Sequence, residues 1–243
     1  MSEHQISLLP VQPVDEQPYE RGLDKDLLWT GSDEQDRRYA LKTVEASNPL
    51  LPLTEWLCYH LCAQIGVLTP AYAVVLRIDG SLAFGSQWES NARQFSPGRV
   101  SDAQFTTWVH ETRVDISGMF ALDAFMPNED RHFRNMLFVD TGARLRALAF
   151  DWSRTRIFSP WPWPRESKSW SSWNWLVNQK LHDLSALKAK LGRACEITGD
   201  RIAVILNAAP VEWRRNFDID AAAIWWDANK AERSDHVVAL LTP

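Results

Sequence analysis

The pattern of apolar and polar residues predicts a first part of the chain that is rich in strands. Residues 28–42 (LWTGSDEQDRRYALK) fit a strand, a turn at 31–33 and a second strand that ends in Lys42. Residues 72–78 and 81–85 are two further strand-like runs on either side of Asp79-Gly80, a dipeptide that favours a hairpin turn. These runs predict an antiparallel sheet.

Helical periodicity dominates the rest of the chain. Residues 53–66 (LTEWLCYHLCAQIG) carry apolar side chains at helical spacing, follow Pro52 and end at a glycine, as a helix would. Further helices are predicted at 102–111, 113–126, 179–194 and 198–208, with one or two more between 220 and 241. We therefore expect an α+β fold of two lobes in one domain: residues 1–89 form the strand-rich lobe and 90–243 the mostly helical lobe.

The ends and the bulk composition limit the class of protein. Residues 1–27 contain Pro10, Pro13 and Pro18 and predict an extended arm, or an edge strand at 6–14. No basic and apolar leader and no apolar run of about 20 residues is present, and the three cysteines suggest reduced thiols. We expect a cytoplasmic protein. Its net charge of −5 argues against nucleic-acid binding by itself and against work at a membrane surface.

The chain is organised around residues 116–151. An apolar helical segment stops at Pro127, and the polar loop 128–135 (NEDRHFRN) follows. Two short apolar runs, 136–139 and 145–150, flank the turn 140–142 and predict a β-hairpin. Asp151 comes directly after the hairpin.

This loop and hairpin suggest phosphoryl transfer. Asp130 could orient or deprotonate an attacking hydroxyl, while Asn135 and Asp151 could supply oxygen ligands to Mg²⁺, which needs few protein ligands. The spacing Asp-x₄-Asn, then a hairpin, then an aspartate is that of a kinase catalytic loop. The alternative is a surface turn around Asp130 and a helix-capping role for Asp151, since Asp-x₄-Asn also occurs by chance.

The same residues resemble a known family. Asp130-Arg131-His132-x-x-Asn135 together with Phe150-Asp151-Trp152 is similar to the HipA-like kinases and, more distantly, to the phosphatidylinositol 3/4-kinases. The resemblance implies a protein-kinase-like two-lobe fold, ATP and Mg²⁺, with Arg131 and His132 supporting the loop. It also implies a protein serine or threonine as acceptor, in a family that includes toxins of toxin–antitoxin pairs. Asp151-Trp152-Ser153 stands where most protein kinases have Asp-Phe-Gly.

By the same resemblance, the first lobe would bind ATP. Lys42 would hold the α- and β-phosphates, oriented by Glu55; Glu45 is a rival partner for Lys42, and Glu55 could instead favour the first turn of its helix. Gly31 and Ser32 begin the loop 31–36 that would cover the phosphates, although this loop is poor in glycine and rich in acid. Gln87 and Trp88 would lie at the hinge that meets adenine.

Residues 159–175 (SPWPWPRESKSWSSWNW) contain five of the 13 tryptophans. This Trp-rich segment could dock an antitoxin-like or other protein partner, or its rings could pack against the second lobe. Three functions therefore stay open: a kinase acting on a protein, a kinase acting on a lipid or small molecule, and a catalytically silent pseudokinase that works as a binding module.

Overall fold

A computed structural model describes residues 10–19, 29–156 and 163–242 of the chain. Its strands are β1 (Asp15–Pro18), β2 (Trp29–Ser32), β3 (Arg38–Lys42), β4 (Tyr72–Leu76), β5 (Leu82–Gln87), β6 (Arg93–Gln94), β7 (Met136–Asp140) and β8 (Leu145–Ala149). Its α-helices are α1 (Leu51–Ile65), α2 (Asp102–Phe125), α3 (Lys168–Asn178), α4 (Leu184–Glu196), α5 (Gly199–Ala208) and α6 (Ile219–Leu241). The fold is the predicted α+β arrangement, with a strand-rich part followed by a mostly helical one.

The first lobe is built on an antiparallel sheet of five strands in the order β1-β2-β3-β5-β4. Ser32 pairs with Arg38, so Gly31 and Ser32 belong to strand β2 and the turn lies at 33–37, two residues later than predicted. The N-terminal arm joins this lobe, because Val11 forms a bridge to Val75. The alternative edge strand at 6–14 falls mostly outside the described residues.

Alternation along the strands gives the sheet two different faces. Tyr39, Leu41 and Val75 point to one face and form a small core of their own. Lys42 and its cross-strand partner Phe84 point to the other face, and Phe84 joins the main core together with α1. Lys42 is thereby directed toward the second lobe.

Helix α1 is enclosed rather than amphipathic. Thirteen of its 15 residues are buried, and it ends at Gly66, which adopts a left-handed φ of 74° that suits glycine. The Nε1 of Trp56 donates to the carbonyl of Ile205 in α5 (2.9 Å). Lys190 of α4 donates to the carbonyl of Gly66 (2.5 Å) and so satisfies one of the last carbonyls of the helix.

The second lobe is held by one long helix where two were predicted. Helix α2 continues through residues 111–113, since no glycine or proline interrupts it there and the hydroxyl of Thr112 donates to the carbonyl of Trp108 (2.7 Å). It ends just before Pro127, as predicted. The hairpin of β7 and β8 follows, with Met136 paired to Ala149 and Asp140 to Leu145.

The described part of the Trp-rich segment packs on this lobe. Trp163 and Trp173 are buried, and the Nε1 of Trp163 donates to the carbonyl of Asp123 (2.7 Å). Helix α3 lies where no helix was predicted, and the helix predicted at 179–194 is α4, which begins five residues later, at Leu184. Residues 157–162 lie outside the described residues. None of the helices in the described ranges has the length and apolarity needed to cross a membrane.

The two lobes are also joined behind the sheet. Glu212 accepts a hydrogen bond from the backbone N–H of Leu82 in β5 (2.8 Å), and the Nε1 of Trp213 donates to the carbonyl of the same residue (3.0 Å). Both side chains follow α5. Strand β5 of the first lobe is therefore hydrogen-bonded to the helical lobe.

Candidate active site

Lys42, Glu55 and Asp151 meet in the interior between the lobes. The Nζ of Lys42 lies 2.5 Å from Oδ1 of Asp151 and 3.2 Å from Oε1 of Glu55. All three side chains are buried, with relative exposures of 6%, 1% and 9%. The predicted pairing of Lys42 with Glu55 is present, although these residues come from a strand, a helix and the end of a distant hairpin.

One ammonium group faces two carboxylates here, and their pKa values separate accordingly. Burial raises the pKa of Glu55 to about 7; Lys42 opposes this rise and the Asp151 carboxylate adds to it. Burial would also raise the pKa of Asp151, but Lys42 and the hydrogen bonds from Ser153 outweigh it and hold this pKa well below its ordinary value. The ion pair is therefore Lys42 with Asp151, and Glu55 is the group that takes up a proton.

Glu55 also contacts the residue after Asp151. The backbone N–H of Trp152 donates to Oε1 of Glu55 (2.9 Å). Asp151 itself has a left-handed φ of 63°. Aspartate tolerates this region better than most residues, yet it is uncommon and often found where function requires a strained backbone.

The hairpin brings the loop residue Asn135 beside Asp151. Met136 pairs with Ala149, so Asn135 and Phe150 are the next residues outward on the two strands. Arg131 ties this end together, because its Nη1 donates to the carbonyls of Asn135 (2.7 Å) and Phe150. Arg131 thus fixes the backbone of the two residues that flank the end of the hairpin.

Arg131 is itself buried at 0% exposure and neutralised by Asp123 of α2. Its Nε and Nη2 donate to the two carboxylate oxygens of Asp123 (2.7 and 3.1 Å). A buried guanidinium needs such a bidentate partner, since leaving either charge unpaired is costly. The guanidinium also lies 4.8 Å above the ring of Trp152. Arg131 therefore connects the loop to α2 through Asp123, an aspartate that the sequence analysis did not single out.

Asp130 lies at the surface of the same loop and is 28% exposed on its side chain. Its backbone N–H donates to Oδ1 of Asn128 (3.2 Å), and its carbonyl accepts from Nδ2 of Asn135 (3.0 Å). The Nζ of Lys168 is 2.6 Å from its Oδ1, and Nε2 of His132 is 3.8 Å from its Oδ2. Burial lowers the pKa of His132, with the Asp130 carboxylate opposing the change, so this imidazole is mostly neutral at pH 7.

The oxygen atoms at the hairpin end suit Mg²⁺. Because Nδ2 of Asn135 donates to the Asp130 carbonyl, its amide oxygen is turned away from that bond and is available as a ligand. The Nζ of Lys42 and the backbone N–H of Ser153 both donate to Oδ1 of Asp151 (2.5 and 3.2 Å), and the Ser153 side chain also bonds to this carboxylate. Carboxylate and amide oxygens are the ligands that Mg²⁺ prefers. Asn135 and Asp151 therefore fit the predicted metal.

The loop predicted at 31–36 is part strand and part turn in the structure. The turn lies at the end of β3 opposite Lys42, about 13 Å away for four strand residues. Its amides are already bonded, because the N–H groups of Gln35 and Arg37 donate to Oδ1 of Asp33 (3.0 Å each) and that of Asp36 to the Asp33 carbonyl (3.0 Å). A phosphate would meet acidic side chains there, and at least these three amides are already bonded.

Gly31 and Ser32 take different places from those predicted. A Cβ on Gly31 would point into the small core, 3.3 Å from a methyl group of Leu41. Ser32 pairs with Arg38 and so shares the face of Lys42. On this face lies a cavity of about 280 Å³, and its polar lining includes Asp15, Gln17, Thr30, Ser32, Asp36 and Arg38. Ser32 therefore lies on the same face of the sheet as Lys42 but at the opposite end of the paired strands.

At the expected hinge, two backbone donors are already in use. The N–H of Gln87 donates to the carbonyl of Ala71 (2.7 Å) and that of Trp88 to the carbonyl of Arg38 (2.6 Å). Neither can donate to adenine. The ring of Trp88 is 48% exposed, and its centroid is 6.4 Å from that of Tyr19.

Several residues that contact the loop around Asp130 were not predicted from the sequence. Asp123 carried a signal, because a charge within an apolar helical run predicts a buried partner. Ser169 and Lys168 carried none. The hydroxyl of Ser169 donates to the carbonyl of Asn128 and accepts from the N–H of Arg131 (2.7 Å), contacts that bridge 38 or more residues of sequence.

Comparison with known proteins gives the fold. No protein-family model matches the sequence, and no curated protein matches it either. Among solved structures, the Helicobacter pylori proinflammatory kinase CtkA matches with a TM-score of 0.56 at 10% identity, over 97% of this chain and 100% of that one. HipA of the Shewanella oneidensis MR-1 toxin–antitoxin system, in a complex with HipB and operator DNA, gives 0.52 at 11% identity over 96% of this chain. This chain spans 66% of that HipA structure.

An aminoglycoside phosphotransferase from Alicyclobacillus acidocaldarius has a TM-score of only 0.34 at 12% identity, over 92% of this chain and 91% of that one. The two stronger matches show that the chain has the two-lobe, kinase-like fold of HipA-type proteins. At these identities the likeness extends to the fold alone.

Proposed function

We propose that this protein is a HipA-like kinase that transfers the γ-phosphoryl group of ATP to a hydroxyl group. The observation that carries the proposal is the buried group of Lys42, Glu55 and Asp151 at the end of the hairpin that also bears Asn135, beside the loop of Asp130. Burying a lysine between two carboxylates costs desolvation free energy. Groups with such strongly shifted pKa values occur preferentially at functional sites.

Each side chain has one task in this proposal. Lys42 holds the α- and β-phosphates and exchanges part of its contact with Asp151 for them. Asn135 and Asp151 hold Mg²⁺, which when bound would neutralise charge on the phosphates. Asp130 orients the acceptor hydroxyl. Catalysis then comes from positioning and charge stabilisation, with no covalent enzyme intermediate.

We propose a serine or threonine of a protein as the acceptor. The support is the resemblance of the Asp130–Asn135 loop to HipA-like kinases, together with a match in fold to a protein described as a kinase. The exposed side of this loop leaves Asp130 reachable for a large substrate. A lipid or small-molecule hydroxyl is the alternative, and a partner bound at residues 159–175 remains part of the proposal.

Two measurements test the proposal. Wild-type protein should gain thermal stability with an ATP analogue and Mg²⁺, and should transfer label from γ-labelled ATP to protein. Asp130→Asn should keep the thermal shift and lose the transfer, whereas Asp235→Asn, an exposed aspartate on α6, should keep both. Transfer retained in Asp130→Asn would refute the assigned role. Comparing phosphoproteomes of cells expressing wild type and Asp130→Ala would then identify the acceptor.

A pseudokinase that binds a partner is the second candidate. The direct contact of Lys42 with Asp151 occupies two groups that an active kinase uses for phosphate and metal, and the turn at 33–37 is closed by its own Asp33. This candidate predicts no thermal shift with ATP analogues and no label transfer by the wild type. A shift without transfer would point to a nucleotide-regulated binding module.

A further inference from the structure

Lys168 forms an ion pair with Asp130, the residue that orients the acceptor hydroxyl in the proposed function. It is the first residue of α3, and its Nζ is 2.6 Å from Oδ1 of Asp130. Its side chain is 60% exposed, so the ammonium can move from the carboxylate to a neighbouring anion without unpacking the lobe. The residue belongs to the Trp-rich segment, in which the sequence analysis gave it no chemical role.

The position of Lys168 is fixed by its neighbour. Ser169 is fully buried and joins α3 to the loop by three hydrogen bonds: to the carbonyl of Asn128, from the N–H of Arg131, and from its own N–H to the carbonyl of Glu129 (3.3 Å). The backbone beside Lys168 is thus locked onto the loop, and the contact with Asp130 follows from this packing.

Stability does not account for a lysine here. An exposed ion pair contributes little to folding. A positive charge in the first turn of a helix also opposes the helix dipole, which favours acidic residues at that end. The energetic balance at this position is therefore near zero, so a role in the chemistry is the better explanation for the contact.

Three other cations of the site already have other contacts or carry little charge. Arg131 is buried and already donates hydrogen bonds to Asp123 and to two backbone carbonyls. His132 is partly buried, and burial lowers its pKa, so it carries little charge at neutral pH. Lys42 lies at the buried pair with Asp151 and is already assigned to the α- and β-phosphates in the proposed function.

We propose that Lys168 is a catalytic residue of the phosphoryl transfer, whose ammonium leaves Asp130 and binds an oxygen of the transferring phosphoryl group. This inference rests on the proposed function. In the step, the acceptor oxygen bonds to the γ-phosphorus while the bond from that phosphorus to the β–γ bridging oxygen breaks. The acceptor proton passes to Asp130, and the electron pair of the broken bond leaves with ADP. Lys168 stabilises the charge on the phosphoryl oxygens during this exchange.

The test compares Lys168→Met with Lys168→Arg and with a matched control, Lys188→Met, at an exposed lysine of α4. The probes are ATP with water as acceptor, measured as phosphate release, and ADP with or without aluminium fluoride in the presence of Mg²⁺, measured by calorimetry. For Lys168→Met we expect kcat to fall by about 100-fold. Binding of ADP–aluminium fluoride, which imitates the transferring group, should weaken at least about tenfold.

Binding of ADP alone and the KM for ATP should change less than about twofold, because Lys168 contacts neither before the transfer. Lys168→Arg should recover part of the lost rate, and Lys188→Met should behave as wild type. A higher rate in Lys168→Met would instead identify Lys168 as an inhibitory lock on Asp130 and overturn the proposal.

Equal rates, or equal weakening of ADP and ADP–aluminium fluoride, would also overturn it. If the wild type binds no nucleotide, the proposed function fails first. If the wild type binds and turns over ATP and Lys168→Met is unchanged, the proposed function stands and this inference alone fails.

Discussion

Replacing Glu55 with glutamine should change how stability depends on pH. Burial raises the pKa of Glu55 from 4.5 to about 7 in the folded protein. The folded chain therefore holds a proton that the unfolded chain releases as pH rises between these values, so the free energy of unfolding falls over that range. At 1.36 kcal/mol per unit, the loss amounts to about 3 kcal/mol between pH 4.5 and 7.5.

Asp151 works in the opposite direction at lower pH. Its folded pKa lies below the ordinary value of 3.8, so its contribution to stability is present above that pH and is lost as pH falls. The combined contribution of Asp151 and Glu55 to the free energy of unfolding is therefore largest on the acid side of neutrality. Glutamine at position 55 can still accept the N–H of Trp152 but cannot ionise. The variant should therefore lose the decline above pH 4.5 and keep the decline below it.

The measurement is urea unfolding at pH 4.5, 5.5, 6.5 and 7.5, followed by tryptophan fluorescence and extrapolated linearly to water. Wild type and Glu55→Gln should be similar at the lowest pH and diverge by about 3 kcal/mol at the highest, with the variant more stable. Glu196→Gln, at an exposed position, should follow the wild type. Parallel curves for wild type and Glu55→Gln would refute the view that Lys42 neutralises Asp151 and leaves Glu55 to take the proton.

Three further substitutions test the supports of the site. Arg131→Met should cost about 3–5 kcal/mol of stability in urea, since it leaves the carboxylate of Asp123 buried without a cation; a loss below 1 kcal/mol would contradict that pairing. Ser169→Ala should cost about 1–3 kcal/mol and lower kcat, read from unfolding and ATP turnover, because the loop loses its anchor on α3; unchanged turnover would count against it. Trp213→Phe should cost about 1 kcal/mol in urea by removing the donor to the Leu82 carbonyl, and an unchanged free energy of unfolding would contradict that contact.

Local signals gave the parts of the site that lie close together in sequence. The turn at 140–142 between two apolar runs predicted β7 and β8, and a hairpin necessarily brings Asn135 next to Phe150. Pro52 and Gly66 bounded α1 within two residues. Where a glycine or proline was missing, boundaries failed: nothing between 111 and 113 predicted whether α2 would stop or continue.

The remaining contacts depend on packing between distant segments. Gly31-Ser32-Asp33 looks like a turn, yet pairing of Ser32 with Arg38 extends the strand and moves the turn to 33–37. The capping of that turn by Asp33 is a side-chain contact that a loop rich in acid does not reveal. Likewise Lys168 reaches Asp130 only because α3 packs against the loop.

The enclosure of α1 has a consequence for regulation. Glu55 lies on α1, which is hydrogen-bonded to the second lobe through Trp56 and at Gly66. Trp213 of the second lobe is also bonded to strand β5, which packs against α1. A rotation of α1 away from Lys42 would expose the central core to water. The free energy of such an inactive state would be too high for the state to be populated. In the proposed kinase, control would then act on smaller movements: the release of the Lys42 ammonium from Asp151, or the arrival of a ligand that competes for it.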